Sequence, residues 1–150
     1  MQTATPNTAV KSDVVTRYLA ANGFTPQVER FGNSDFIIGM RIQHTDFELV
    51  YRFENEELIV CDFVNRSKEN QNNRAVAGFI KLIHQLERAV PQIRQVRGML
   101  LHSVYAEVTA LRERLATVLI AQGANWQQVE GDSWLVYPNK NCSKKLPQSQ

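Results

Sequence analysis

Two cysteines, three histidines and no apolar run near the roughly 20 residues that span a bilayer set the first limits on this 150-residue chain. Cys61 lies in an apolar run and Cys142 in a polar terminal stretch, so a disulfide would have to tie tail to core. Two free thiols are expected instead. No second Cys or His stands at ligand spacing from either, and no metal site is expected. The opening MQTATPNTAVKS lacks the basic-then-apolar order of a leader, so a cytoplasmic protein is expected. A formal net charge of +2 is too small to point to nucleic acid by itself. The chain also shows no internal repeat and no interior linker.

What is present is an ordinary globular composition, 43% hydrophobic and 21% charged, at a length that buries one real core. A single domain over 12–138 is expected. Residues 1–11 and the basic stretch 139–150 are too polar to repay their ordering entropy and are expected to be flexible tails.

The hydrophobic pattern divides that domain. A helix is expected from about Asp13 to Ala21, capped by Ser12 or Asp13 and ended at Gly23. Strands follow. Phe36, Ile38, Met40 and Ile42 alternate in one, and Phe47, Leu49, Tyr51 and Phe53 in the next. ELIVCDF (57–63) is apolar on both faces, as suits a central strand. Val76, Phe79, Ile83, Leu86 and Val90 recur at spacings of three and four, giving a helix over 74–90 that Pro91 stops. Residues 93–101 read as a strand. A third helix covers about 105–122, with Val108, Leu111, Leu115 and Val118 inward and Glu107, Arg112, Glu113 and Arg114 facing water. A hairpin turning at GD (131–132) and carrying Trp126 and Trp134 closes the chain, the two indoles expected to cap the core. The expected class is α+β: an antiparallel meander (36–63) continued by 93–101, with helices packed on it.

This order, over about 13–137, is similar to the core of the GNAT superfamily of acyl-CoA-dependent N-acetyltransferases. The resemblance implies a Gln/Arg-x-x-Gly-x-Gly/Ala loop that cradles pyrophosphate at a helix N-terminus, where side chains would block backbone approach. Read from Arg74, this chain gives Ala77 and then Phe79; Gly78 stands one place out of register. The implied tyrosine acid, four residues before Gly123, is Leu119. Asp62 or Glu57 could serve as the implied carboxylate base.

Other candidates point to no chemistry. His44, His84 and His102 stand beside no nucleophile pattern. Arg94 and Arg97, three apart in a strand, fall on opposite faces and make no patch. No nucleic-acid motif accompanies them. No catalytic residue, cofactor or metal is expected.

The succession GFTP, FIIGMRI, FELVYRFENEELIVCDFV, NNRAVAGFIKLIHQLERAVP, VRGMLL, LRERLATVLIAQGANW and DSWLVYP resembles the LcrR-type (low-calcium-response R) proteins of type III secretion. That resemblance implies a non-enzymatic cytoplasmic regulator or chaperone-like accessory protein acting through contact with a secretion component. An acyl-CoA-dependent N-acyltransferase with a degenerate cofactor loop is the alternative. On the first reading, Arg66, Lys68 and Arg74 in the polar loop are the candidate partner-binding residues. Neither the partner nor the number of subunits is written in the sequence.

Overall fold

The computed structural model describes residues 13–66, 72–101 and 103–141. The stretch 1–11, Ser12, Lys68, His102 and Cys142 lie outside the described residues.

Helix α1 (Val14–Ala21) begins at Asp13, whose carboxylate accepts the Thr16 N–H at 2.7 Å and satisfies one of the free amides of the first turn. Four strands follow: β1 (Gln27–Arg30), β2 (Ile37–Gln43), β3 (Phe47–Glu54) and β4 (Glu57–Asn65). The chain continues through α2 (Asn72–Ala89), β5 (Gln95–Gly98), α3 (Ala106–Ala121), β6 (Asn125–Val129) and β7 (Asp132–Pro138). The strands form one seven-stranded sheet in the order β1-β2-β3-β4-β5-β7-β6. The class is therefore α+β, and apart from the added strand β1 the order of helices and strands is the one expected from the pattern.

The pleat separates two faces. Ile42, Leu49, Tyr51, Leu58, Phe63, Val96 and Leu135 share one hydrophobic cluster with Val15 and Leu19 of α1, Phe79 and Ile83 of α2, and Leu111 and Leu115 of α3. At its centre Phe47, Phe63 and Phe79 touch edge-on or tilted, with centroids 4.9–5.9 Å apart. Thr16 and the buried Tyr51 hydroxyl share a 2.8 Å hydrogen bond that ties α1 to β3. The opposite face carries a charged row. Arg41 pairs with Glu29 and Glu48, Arg52 lies beside Glu54, and Arg97 pairs with Glu57.

Several expectations need correction. The edge strand β1 went unread: QVER offers only one apolar residue, and its pairing with β2 rather than its own pattern makes it a strand. The expected strand 93–101 shortens to Gln95–Gly98, and it runs parallel to β4, as a helical crossover requires. The final turn is Glu130–Gly131, both at positive φ. Asn139, assigned to the flexible tail, is buried; its Nδ2 donates to the Ile93 carbonyl at 2.7 Å and its N–H to Arg94 O at 3.0 Å. Among the described residues no helix is long and apolar enough to cross a membrane.

Candidate functional site

Strand β4 is bonded differently on its two flanks. Against β3 it pairs along its whole length, from Glu54↔Glu57 to Phe47↔Asn65. Against β5 it pairs from Glu57↔Gln95 to Val60↔Gly98, and there the strands part. Three local features set where the parting falls. Cys61 is an extra residue between Val60, opposite Tyr51, and Asp62, opposite Val50, and such a bulge bends its strand. Gly98 has no side chain to wedge against Val60, whose Cβ lies 3.3 Å from where a Gly98 Cβ would stand. Leu100 then adopts φ 50°, a left-handed conformation that costs a non-glycine residue about 1 kcal/mol and turns the chain off the sheet.

The result is a notch. On the charged face it opens into a cavity of about 280 Å³ lined by Ile38, Ile59, Cys61, Trp134, Met99 and Leu101, with Arg52, Asp62 and Arg112 supplying the charge. On the helical face a second space of about 20 Å³ lies among Phe79, Leu115, Leu119 and Tyr137. Val60 and Leu100 line both.

Arg112 bridges the gap. Its Nη2 donates to Asp62 Oδ1 on the β4 bank at 2.7 Å, and its Nη1 donates to the Leu101 carbonyl on the other bank at 2.9 Å. The Phe63 N–H also donates to Asp62 Oδ1, at 3.0 Å. One carboxylate and one guanidinium therefore stand where strand-to-strand hydrogen bonds would otherwise run. Although Cys61 as a residue is exposed, partial burial of its sulfur pushes the thiol up, with Arg52 opposing and Glu54 and Asp62 adding to the shift, so this sulfur is no ready thiolate nucleophile. Burial, helped by the Glu87 charge, also raises the Tyr137 phenol, whose oxygen lies 3.4 Å from His84 Nε2.

The two carboxylates weighed as bases have different fates. Glu57 is saturated by Arg94 Nη2 at 3.3 Å, Gln95 Nε2 at 2.5 Å and Arg97 Nε at 2.9 Å. Arg94 and Arg97 thus converge on one carboxylate rather than falling on opposite faces, because Arg94 precedes β5 and escapes its alternation. Asp62 lines the cavity. Phe79 is a core residue, as its place on the apolar stripe implied, and Leu119 belongs to the same core. Gly78 has a packing reason to be glycine: a Cβ there would meet His44 Cε1 at 3.2 Å and the Phe47 ring at 3.3 Å.

Of the loop cations, Arg66 is exposed and donates through Nη1 to the His44 carbonyl at 2.7 Å, and Arg74 is exposed on the first turn of α2. His44 stacks on Phe47 at 4.5 Å, and His84 bonds Gln122 Oε1 at 3.0 Å. Trp126 does not cap the core; it stands 48% exposed on the edge strand. Trp134 lines the notch cavity beneath the Arg97 guanidinium, 4.1 Å above its ring.

Sequence reasoning missed Arg112 and the 98–101 turn. Arg112 was placed facing water, yet its side chain is only 17% exposed. A signal existed: Val108, Arg112, Leu115 and Leu119 follow one helical row, so Arg112 belongs to the inward stripe.

The chain matches no protein-family model and no curated protein. Among solved structures it is similar to the ribosomal-protein-S18-alanine N-acetyltransferase of Escherichia coli. The two are 14% identical, the match covers 88% of this chain and 81% of the other, and the TM-score is 0.46. Nothing about activity is carried from one protein to the other at that likeness.

Proposed function

We propose that the notch is a ligand slot for an extended, amide-bearing chain, and that its ligand is the acyl-pantetheine arm of an acyl-coenzyme A. The observation that supports this is the one-sided pairing of β4. Beyond Val60 its β5 flank pairs with no strand among the described residues, and a cavity lined by apolar side chains together with Arg52, Asp62 and Arg112 lies beside it. A chain alternating methylenes with amides suits such a slot, burying its apolar parts against Ile59 and Leu100 while its amides meet the strand backbone. The resulting activity is acyl-CoA-dependent N-acyltransfer. Asp62, the carboxylate lining the cavity, is placed to take a proton from an incoming amine. Leu119 supplies no acid for the leaving thiol, so positioning carries the rest of the rate.

Calorimetry with acetyl-CoA tests the reading. A saturable heat that disappears in Cys61→Trp, whose indole fills the cavity, is expected. No heat with the wild-type protein, or undiminished binding by Cys61→Trp, overturns it.

Contact with a protein partner is a separate proposal, motivated by the exposure of Arg66 and Arg74. Replacing Arg66, Lys68 and Arg74 by Ala should then weaken capture of an acidic secretion component in a salt-dependent way and leave thermal stability nearly unchanged. Unaltered, salt-insensitive capture would show the loop to be only a solvated corner.

A further inference from the structure

The two edges of the sheet are built to different standards. At one edge β1 is four residues long, carries Glu29 and Arg30, and slips register between them. Short length, charge and a bulge are the usual protections against pairing with another chain. At the other edge β6, one residue longer, has neither charge nor bulge. Its five residues, Asn-Trp-Gln-Gln-Val, contain no charge and no proline, and all five are exposed. It pairs with β7 in unbroken register from Asn125↔Val136 to Val129↔Asp132. Trp126 and Val129 on the strand, and Ile120 in the last turn of the helix that feeds it, are three of the large apolar side chains left in water.

The turn fixes which backbone groups are free to pair. Glu130 (φ 52°) and Gly131 (φ 88°) form a two-residue hairpin loop with both φ values positive. Val129 and Asp132, which flank such a loop, exchange both backbone hydrogen bonds. Bonded pairs alternate along an antiparallel ladder, so Gln127 and Asn125 also turn their amides and carbonyls toward β7. Those of Trp126 and Gln128 point away from β7, into solvent.

From this geometry we infer that β6 is a self-complementary interface that pairs antiparallel with β6 of a second copy of this chain. A two-fold axis through Gln127 sets Trp126 opposite Gln128 of the partner subunit, and Gln128 opposite the partner's Trp126. Both pairs are of the bonded kind, so the N–H and C=O of all four residues are used. The uncharged strand brings no like charges together in this register, because Glu130 falls opposite the partner's Ala124. The two sheets become one. Trp126, which shares the helical face with Leu135, leaves water at the junction.

The interface is independent of the notch and is tested by mass rather than by ligand. Sedimentation or light scattering of the full chain up to roughly 100 µM, well above a micromolar dissociation constant, is expected to give twice the chain mass. Gln128→Pro removes an outward N–H that β7 does not use and sets a ring on the edge. It is expected to return the mass to that of one chain with unchanged circular dichroism. Trp126→Lys, which leaves the backbone intact, is expected to do the same and decides the matter if the proline variant fails to fold. A wild-type monomer over that range overturns the inference. So does a dimer that survives Trp126→Lys.

Discussion

Strand β4 is a controlled comparison within one element. Its β3 flank is ladder from end to end apart from the register shift at Cys61, and the side chains it sends to the helical face, Leu58 and Phe63, are buried. Its β5 flank is ladder for half its length and a gap for the rest, and the residues at the gap, Cys61 and Asp62, are exposed. The same backbone is thus a structural spine on one side and, on the proposed reading, a binding edge on the other. What separates the two is a single bulged residue and the left-handed Leu100 across from it.

The largest effect should come from the paired side. Phe63→Ala removes a ring packed between Phe47 and Phe79 and should lower unfolding free energy by about 3–5 kcal/mol, read by urea denaturation. A loss under ~1 kcal/mol would mean the spine is not where the core is anchored. Cys61→Trp, two residues away on the gap side, should change stability by less than about 1 kcal/mol while abolishing acetyl-CoA binding. If it unfolds the protein instead, the two flanks are not separable.

Arg112→Ala should have an intermediate effect. It removes two charge-assisted hydrogen bonds from a guanidinium that is mostly buried, but its partner Asp62 is 51% exposed, so a loss of about 1 kcal/mol is expected. Hydrogen exchange of the Phe63 amide should quicken, because the carboxylate that accepts it is no longer held. Unchanged exchange there would mean that Arg112 is not what closes the gap.

The smallest effect, far from either flank, is a control on electrostatics. Glu87 is buried, and burial raises its carboxyl, with His84, Arg88 and Lys140 opposing. The folded state therefore holds that proton to higher pH than the unfolded chain. Ionisation of Glu87 then weakens the fold at neutral pH, and the penalty fades as pH falls through the raised value toward the ordinary carboxylate range. Glu87→Gln should raise Tm at pH 7, by an amount that shrinks on acidification. A gain that grows with acid would reverse the sign of this account.

The sequence made the spine legible and the gap obscure, for a physical reason. Alternation in FELVYRF and the 3-and-4 spacing of Val76, Phe79, Ile83, Leu86 and Val90 report burial, and burial is what the paired flank and the helices share. The notch depends on departures from regularity. VRGMLL has the apolar content of a strand, but it leaves the sheet at Gly98 through the φ of Leu100, which composition does not encode. The Cys61 bulge is equally silent in an unbroken ELIVCDF. Asp62 was among the carboxylates weighed from the sequence, but its partner Arg112 lies 50 residues away, and only the folded chain brings the two together.

The most direct test of the central claim is an amide NMR titration of the folded protein with acetyl-CoA. Saturable shifts concentrated at residues 59–64 and 98–101, with the β3 amides that pair with β4 little moved, are the expected result. Absence of shifts, or shifts confined to α2, α3 or β6, would contradict the account and leave the gap beside β4 as a feature of packing alone.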